Sequence, residues 1–356
     1  MSQLQILSAH EQVAAYLRQQ IARGIWKKTM PGSSRLCREL GVGRMTIESA
    51  LRLLEQEGML LPQGAGKKRL IQAPESLEMP SLKVEILLYS PEDEKLDYHV
   101  SIRHQLMNAG HHASFSTKTL SEMKMDISKV SRYVANSSAD AWIVISGSRE
   151  ILNWFAEHNI PAFALAGRRR GSGLPSAGPD KIPPLRDSVR RLVELGHSRI
   201  VLLTPDTRRK PAPGNFERAF LDELSNQGIQ HGPYNLPDWE ETGEGLRKIL
   251  DSLFQHTPPT ALIIVESFTF IATMQYLAQQ GITAPRDISL ICDDPGPQFR
   301  WCEPTVSHFH WESAPIARRA VQWAGNVAQG KKDVRESFNK ATFVEGGTIG
   351  PVPHQS

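Results

Sequence analysis

The chain has 356 residues, enough for two or three domains, with 40% hydrophobic residues and a formal net charge of +3. That composition is ordinary for a globular protein and excludes a disordered polyelectrolyte or a chain that wraps a polyanion along its length. There is no transmembrane run, Met1-Ser2-Gln3-Leu4-Gln5 lacks the basic and apolar regions of a signal peptide, and Cys37, Cys292 and Cys302 fall at no metal-ligand spacing. The expectation is a cytoplasmic protein with reduced, buried thiols and no membrane partner.

The charge is unevenly placed. Residues 1–71 carry 11 Lys and Arg against 5 Asp and Glu, whereas the rest carries 30 against 33. A basic head on a mildly acidic body points to nucleic acid as the partner of the head alone. Ser8 and Glu11 have capping-box spacing, and Val13, Leu17 and Ile21 follow four residues apart. After the Met30-Pro31-Gly32 turn, Ser33 or Ser34 is expected to cap a short helix burying Leu36, Cys37 and Leu40. Gly41-Val42-Gly43 then turns the chain into a helix whose Ile47, Ala50, Leu51 and Leu54 form one apolar face, ending at Gly58. Met59–Pro62 and Lys67–Ile71 read as two strands around a glycine turn, a wing with a basic tip. Short helix, tight turn and second helix give a helix-turn-helix.

This order, with Gly-Val-x-Arg-x-Thr at 41–46, Leu-x-x-Leu-Glu-x-Glu-Gly at 51–58 and a Gly-x-Gly wing at 64–66, resembles the winged-helix domain of the GntR family. The resemblance implies that Arg44 and Thr46 contact operator DNA and that Gly66 lets the wing tip enter the minor groove. The chain departs from the family pattern at Ser34, where an arginine is usual and Arg35 stands one residue late, and at Glu48, where arginine is also usual. A carboxylate there weakens phosphate affinity but can accept from a cytosine amino group. The candidate DNA-contacting set is Ser33, Ser34, Arg35, Arg44, Met45, Thr46, Glu48, Gly66, Lys67 and Lys68.

Residues 72–82, with Pro74 and Pro80, read as a tether. From 83 to 350, short apolar runs alternate with helical patterns. Strands are expected at 84–89, 113–116, 141–145, 161–165, 199–203, 261–265 and 288–292, with helices between them and a Gly, Ser, Pro and Arg loop over 167–184. Such a β-α-β rhythm, interrupted once, predicts a two-lobed α/β body of parallel sheets with helices on both faces. Residues 351–356 are a tail.

Ala139-Asp140-Ala141-Trp142-Ile143-Val144, Leu192-Val193-Glu194-Leu195-Gly196-His197-Ser198-Arg199-Ile200 and Gly281-Ile282-Thr283-Ala284-Pro285-Arg286-Asp287-Ile288-Ser289-Leu290 resemble the effector domain of LacI/GalR-type repressors, which has the periplasmic-binding-protein fold. The resemblance implies a small-molecule sensor, usually for a carbohydrate, and a homodimer through the body. The family's ligand positions transfer imperfectly. The place of an arginine holds Phe216 with Arg218 nearby, the place of Asn-Asp holds Glu266-Ser267, and either Asp293 or Asp294 faces the cleft. Candidate ligand residues are Ser90, Arg168, Arg218, Glu266, Asp293, Asp294 and Trp311; Arg169, Arg170 and Trp301 are further candidates by position.

His308-Phe309-His310-Trp311-Glu312 lacks a supporting cluster for a metal, and no phosphate loop, nucleophile elbow or Cys-x-x-Cys is present. No cofactor, no metal and no catalysis are expected. The reading is an effector-controlled, dimeric transcriptional regulator, a repressor by preference, that binds double-stranded operator DNA. The alternative is a cytoplasmic ligand-binding protein with no role on DNA.

Overall fold

In the computed structural model, which describes residues 8–22, 25–26, 28–64, 67–72, 81–210 and 212–353, the first helix opens at Ser8. Glu11 accepts from both the Ser8 N–H and the Ser8 hydroxyl at 2.7 Å. Helix α1 (Ala9–Ala22) is followed by α2 (Ser33–Leu40) and α3 (Arg44–Gln56). Gly41, at φ 65, ends α2 in the left-handed region, which glycine adopts without a Cβ clash. The apolar face of α3 (Ile47, Ala50, Leu51, Leu54) is fully buried against Ala14, Leu17 and Ile21 of α1 and Leu36 of α2. Trp26 covers one edge of this core. Strands β1 (Leu60–Leu61) and β2 (Leu70–Ile71) pair antiparallel and are shorter than the sequence predicts. Gly66 at the tip of the wing and residues 73–80 of the tether lie outside the described residues.

Residues Met1–Ser81 form one unit and Leu82–Ser356 a second. The second contains, in order, β3 (Lys83–Leu87), α4 (Asp97–Asn108), β4 (His112–Phe115), α5 (Ile127–Ala135), β5 (Ala141–Ile145), α6 (Arg149–Glu157), β6 (Ala162–Leu165), β7 (Ser176–Asp180) and α7 (Ile182–Glu194). Then come β8 (Ile200–Leu203), α8 (Asp206–Arg209), α9 (Asn215–Asn226), α10 (Gly243–His256), β9 (Ala261–Ile264), α11 (Ser267–Gln279), β10 (Ser289–Cys292), β11 (Ser307–Trp311), α12 (Ala314–Ala328) and β12 (Glu336–Val344).

The strand order is β4-β3-β5-β6-β7-β12-β11-β10-β9-β8, parallel throughout except for the β11–β12 pair. Strands β5 and β9 are buried at every position, as central strands covered on both faces must be. The mixed α/β, two-lobed architecture is the predicted one.

Three strands were not predicted from the sequence, among them β11, which immediately precedes the last predicted helix. Strand β7 lies inside the stretch expected to be loop, and β12 follows the last predicted helix. Strand β12 belongs to both lobes: Glu336–Lys340 pair with β7, and Ala341–Val344 pair with β11. Lobe I therefore comprises β3–β7 with α4–α6, plus α12, whose Trp323 packs on Phe163 with ring centroids 5.4 Å apart. Lobe II comprises β8–β11 with α7–α11. The chain crosses between lobes after β7, after β11 and within β12.

A buried ion pair ties α12 to the entry of β12. Arg319 on α12 grips Asp333 with two bonds of 2.9 and 2.6 Å, and Asn326 adds a third to the same carboxylate at 2.8 Å. Arg319 also donates to the Arg335 carbonyl at 2.9 Å, immediately before β12. Both charged side chains are less than a tenth exposed, and these bonds engage both terminal nitrogens of Arg319 while its buried Nε has no partner among the described residues.

Candidate DNA interface and ligand cleft

Helix α3 starts at Gly43 without a side-chain cap, so its first N–H groups face outward beside exposed Arg44 and Met45, the latter 81% exposed. Thr46 is half-buried. Ser34 and Arg35 are exposed on α2, where Arg35 also pairs with Glu39 at 2.6 Å. Lys67 and Lys68 are exposed on the wing.

Ser33 and Glu48 are placed differently. Gly32 occupies the cap position of α2 with extended backbone, so Ser33 lies already inside the helix and caps nothing. Its hydroxyl donates instead to Glu48. Glu48 also accepts from Arg69 Nη2 at 3.0 Å, and Arg69 Nε donates to Glu55. The Ser33 hydroxyl, and after it Arg69, hold the Glu48 carboxyl below the usual range against the opposing effect of burial. Glu48 thus joins α2, α3 and the wing strand. Arg69, which completes this network, carried no signal in the sequence beyond its place in the return strand.

In the second unit a cleft of about 1210 Å³ opens where strand ends converge. Its walls follow the carboxyl ends of strands: Ser90 beyond β3, Ser146 after β5, Arg168 beyond β6, Lys181 after β7, Thr204 after β8, Glu266 beyond β9 and Asp293 after β10. Open α/β sheets place ligand crevices there. A second cavity of about 750 Å³ lies between the end of β4 and α5, lined by Phe115, Thr117 and Tyr133 among others.

All seven residues singled out as ligand candidates, together with Arg169 and Arg170, line the cleft. Trp301 does not: it is 79% exposed outside the cleft, because the 3-10 turn Pro297–Trp301 buries Phe299 instead. Of the thiols expected to be buried, Cys292 is buried, whereas Cys37 and Cys302 are half-buried.

The cleft is densely ion-paired. Lys181 bridges Asp293 at 3.1 Å and Asp294 at 2.6 Å, so both aspartates face the same cation. Burial alone would depress the Lys181 ammonium, but the two carboxylates outweigh it and hold it above the ordinary lysine range. Trp311 Nε1 donates to Asp294 at 3.3 Å. Arg208 binds Glu266 and Glu241 and lies 4.3 Å from the Tyr89 ring centroid. From lobe I, the Tyr89 hydroxyl reaches Glu241, and Arg168 donates to the Arg208 carbonyl at 3.2 Å and the Ala212 carbonyl at 2.7 Å. These bonds join the lobes across the cleft mouth.

Backbone strain collects at the same place. Glu266 holds φ 66, with its N–H donated to Asp293 at 2.9 Å. Gly167 (φ 63) delivers Arg168, and a Cβ on it would lie 2.6 Å from the Ser146 Cα.

Asp93 sits behind Ser90 and accepts from the Ser90 and Tyr89 N–H groups at 2.9 and 3.1 Å. Burial pushes its carboxyl up to about 6, the Ser90 N–H opposing. An acid raised in this way contributes stability that is complete below its unfolded value and is lost as pH rises through about 6. Relative to wild type, Asp93→Asn is therefore expected to gain about 2–3 kcal/mol between pH 4 and pH 7. Urea unfolding at the two pH values measures it; a pH-independent difference would place the titration in the ordinary carboxylate range.

Residues 9–65 match the family model described as bacterial regulatory proteins, gntR family, and residues 189–349 match that of the periplasmic binding protein-like domain. The HTH-type transcriptional regulator AglR of Rhizobium meliloti (strain 1021) is 28% identical over 214 residues, covering 56% of this chain and 57% of that protein. The HTH-type transcriptional repressor CytR of Escherichia coli (strain K12) is 23% identical over 177 residues, covering 49% and 52%. The chain thus spans a little over half the length of these relatives. Among solved structures, the transcriptional regulator CelR–cellobiose complex aligns with a TM-score of 0.62 at 14% identity, covering 90% of this chain and all of the other. A LacI family transcriptional regulator from Enterococcus faecium with bound ribose gives 0.60 at 16% identity, covering 76% and 99%. At these identities the structures speak for the fold. Residues 9–65 are a gntR-family regulatory domain, and residues 189–349 belong to a periplasmic-binding-protein-like domain with the fold of LacI-family regulators.

Proposed function

We propose that the chain is a sequence-specific transcriptional repressor that binds double-stranded operator DNA through residues 1–71 and a small-molecule effector through residues 83–350. One observation carries the reading: a single chain holds both an uncapped, outward-facing recognition helix beside a basic wing and a cleft at the strand ends of a two-lobed body. Arg44, Met45 and Thr46 read base edges, while Ser34, Arg35, Lys67 and Lys68 set register on phosphates. A homodimer presents two heads to two half-sites.

The effector is a carbohydrate or a similar neutral polar molecule. The cleft's lining carries nine Lys and Arg against eight Asp and Glu, a near balance that favours no strongly charged ligand, and the CelR and Enterococcus faecium structures hold cellobiose and ribose. Effector binding changes DNA affinity to the extent that it favours one head arrangement over another. The relatives are regulators rather than enzymes, and a cytoplasmic site of action follows from a DNA partner.

The experiment is selection of a binding sequence from a random duplex library, followed by titration of wild type and Arg44→Ala. The variant is expected to lose about 1–3 kcal/mol of specific binding, roughly 5- to 150-fold, with the melting curve of the body unchanged. Failure to enrich any sequence would instead support a ligand-binding protein without a DNA role.

A further inference from the structure

Among the carboxyl groups at the cleft, one stands apart. Glu217, in the first turn of α9, is only 7% exposed and lines the cleft. Among the described residues its carboxyl has no hydrogen bond and no ion pair. The other buried or half-buried acids there all have donors. Asp293 and Asp294 hold Lys181, Glu266 holds Arg208, Asp180 holds Arg170, and Asp93 holds two backbone N–H groups. The Glu217 oxygens are not among the fully buried unpartnered side-chain atoms, so they open into the cleft, where solvent or a ligand can supply the donors that the described residues do not.

Helix capping is the structural alternative. Glu217 stands at the third helical position, where a capping box would have it accept from the Gly214 N–H, but α9 carries no side-chain cap bond. The carboxyl instead lies beside bare Gly214. A Cβ there would sit 2.7 Å from Glu217 Oε2 and 3.8 Å from Arg168 Nε. Arg168 is turned to the Arg208 and Ala212 carbonyls. The neighbouring Arg218, on which sequence reasoning settled, is exposed and donates back to the Pro213 carbonyl at 3.0 Å and to Asn215.

We propose that Glu217 is a ligand-contacting, specificity-determining residue. Its two oxygens accept from adjacent O–H or N–H donors of the effector, selecting an uncharged polyhydroxy ligand or its amino analogue and rejecting anionic ones. The inference rests on the reading of the cleft as an effector site. An acceptor pair left unfilled without ligand discriminates strongly against molecules that cannot donate to it.

The test uses the full chain in thermal-shift and calorimetric titrations against ribose, cellobiose, glucosamine, gluconate and glucose 6-phosphate. Wild type is expected to bind one of the first three and neither anion. Glu217→Gln is expected to weaken that binding about tenfold or more, and Gly214→Ala, whose Cβ displaces the carboxyl without backbone strain, to weaken it as well. Without ligand, Glu217→Gln should melt at the same temperature as wild type or higher, since no described residue bonds the carboxyl it replaces. A fall of several degrees would establish the capping role and overturn the proposal. Equal affinity of wild type and Glu217→Gln for a ligand, or preference for an anion, would overturn it while leaving the sensor reading intact. A flat panel with wild type removes the sensor reading and this proposal together.

Discussion

Arg319→Ala is expected to destabilise the second unit by about 3–5 kcal/mol, the loss typical of removing one partner from a buried ion pair. The alanine leaves Asp333, 8% exposed, with the Asn326 amide and the Arg335 N–H as remaining donors. It also removes a guanidinium lying 5.3 Å from the Phe163 ring centroid and the bond to the Arg335 carbonyl. In a unit of this size the melting temperature should fall by roughly 10 °C, read by calorimetry. The double variant Arg319→Met with Asp333→Leu should recover much of the loss, because replacing both charges by apolar groups leaves neither stranded. A single variant that melts like wild type would mean that the pair contributes no more than an exposed one.

Leu51→Ala should act on the first unit alone. Leu51 is fully buried where α3 meets α1 and α2, and truncating it opens a cavity at the centre of the head's core. The loss is about 3–4 kcal/mol. A domain this small has about 5 kcal/mol to lose, so the variant head should be substantially unfolded near 37 °C. Calorimetry should show the head's transition shifted down or gone and the body's transition unmoved, with operator binding abolished. A downward shift of both transitions would mean that the two units unfold as one.

Local sequence signals identified the elements whose stability is local. The Ser8–Glu11 pairing, the glycine turn at 41–43 and the apolar face of α3 are each local; the last two are present as predicted, and of the capping box the Glu11 half forms while the Ser8 hydroxyl donates to the same carboxylate. Strands β7 and β12 escaped because their evidence is not local. Ser176-Ala177-Gly178-Pro179-Asp180 contains a glycine and a proline that ordinarily mark turns. It is a strand because β6 and β12 lie on either side of it, the latter some 160 residues away. Gly178 serves a packing purpose there, since a Cβ would lie 2.8 Å from the buried Arg169 Nε. The cleft was legible as a location, from residues that follow apolar runs, but not as a set of bonds. Nothing in the order of residues pairs Lys181 with Asp293 and Asp294, or ties Arg218 to Pro213 and Asn215 while Glu217 beside it bonds no described residue. Ser33 and Glu48 show the same limit, because their partnership depends on the angle between two helices and on Arg69.

The path of the chain between the lobes bears on synthesis. Lobe II is built almost entirely from the continuous stretch 182–311, whereas lobe I takes α12 and the first half of β12 from residues beyond 313. While the chain is being made, the first unit and then most of lobe II become available before lobe I can complete its sheet. The apolar faces of β7 and of the β3–β6 layer must wait, uncovered, for Trp323, Ile316 and Ala320 to arrive. A stall or a nonsense codon after residue 311 therefore releases a product with a completed head and an unfinished, adhesive first lobe, the kind of species that chaperones and proteases remove.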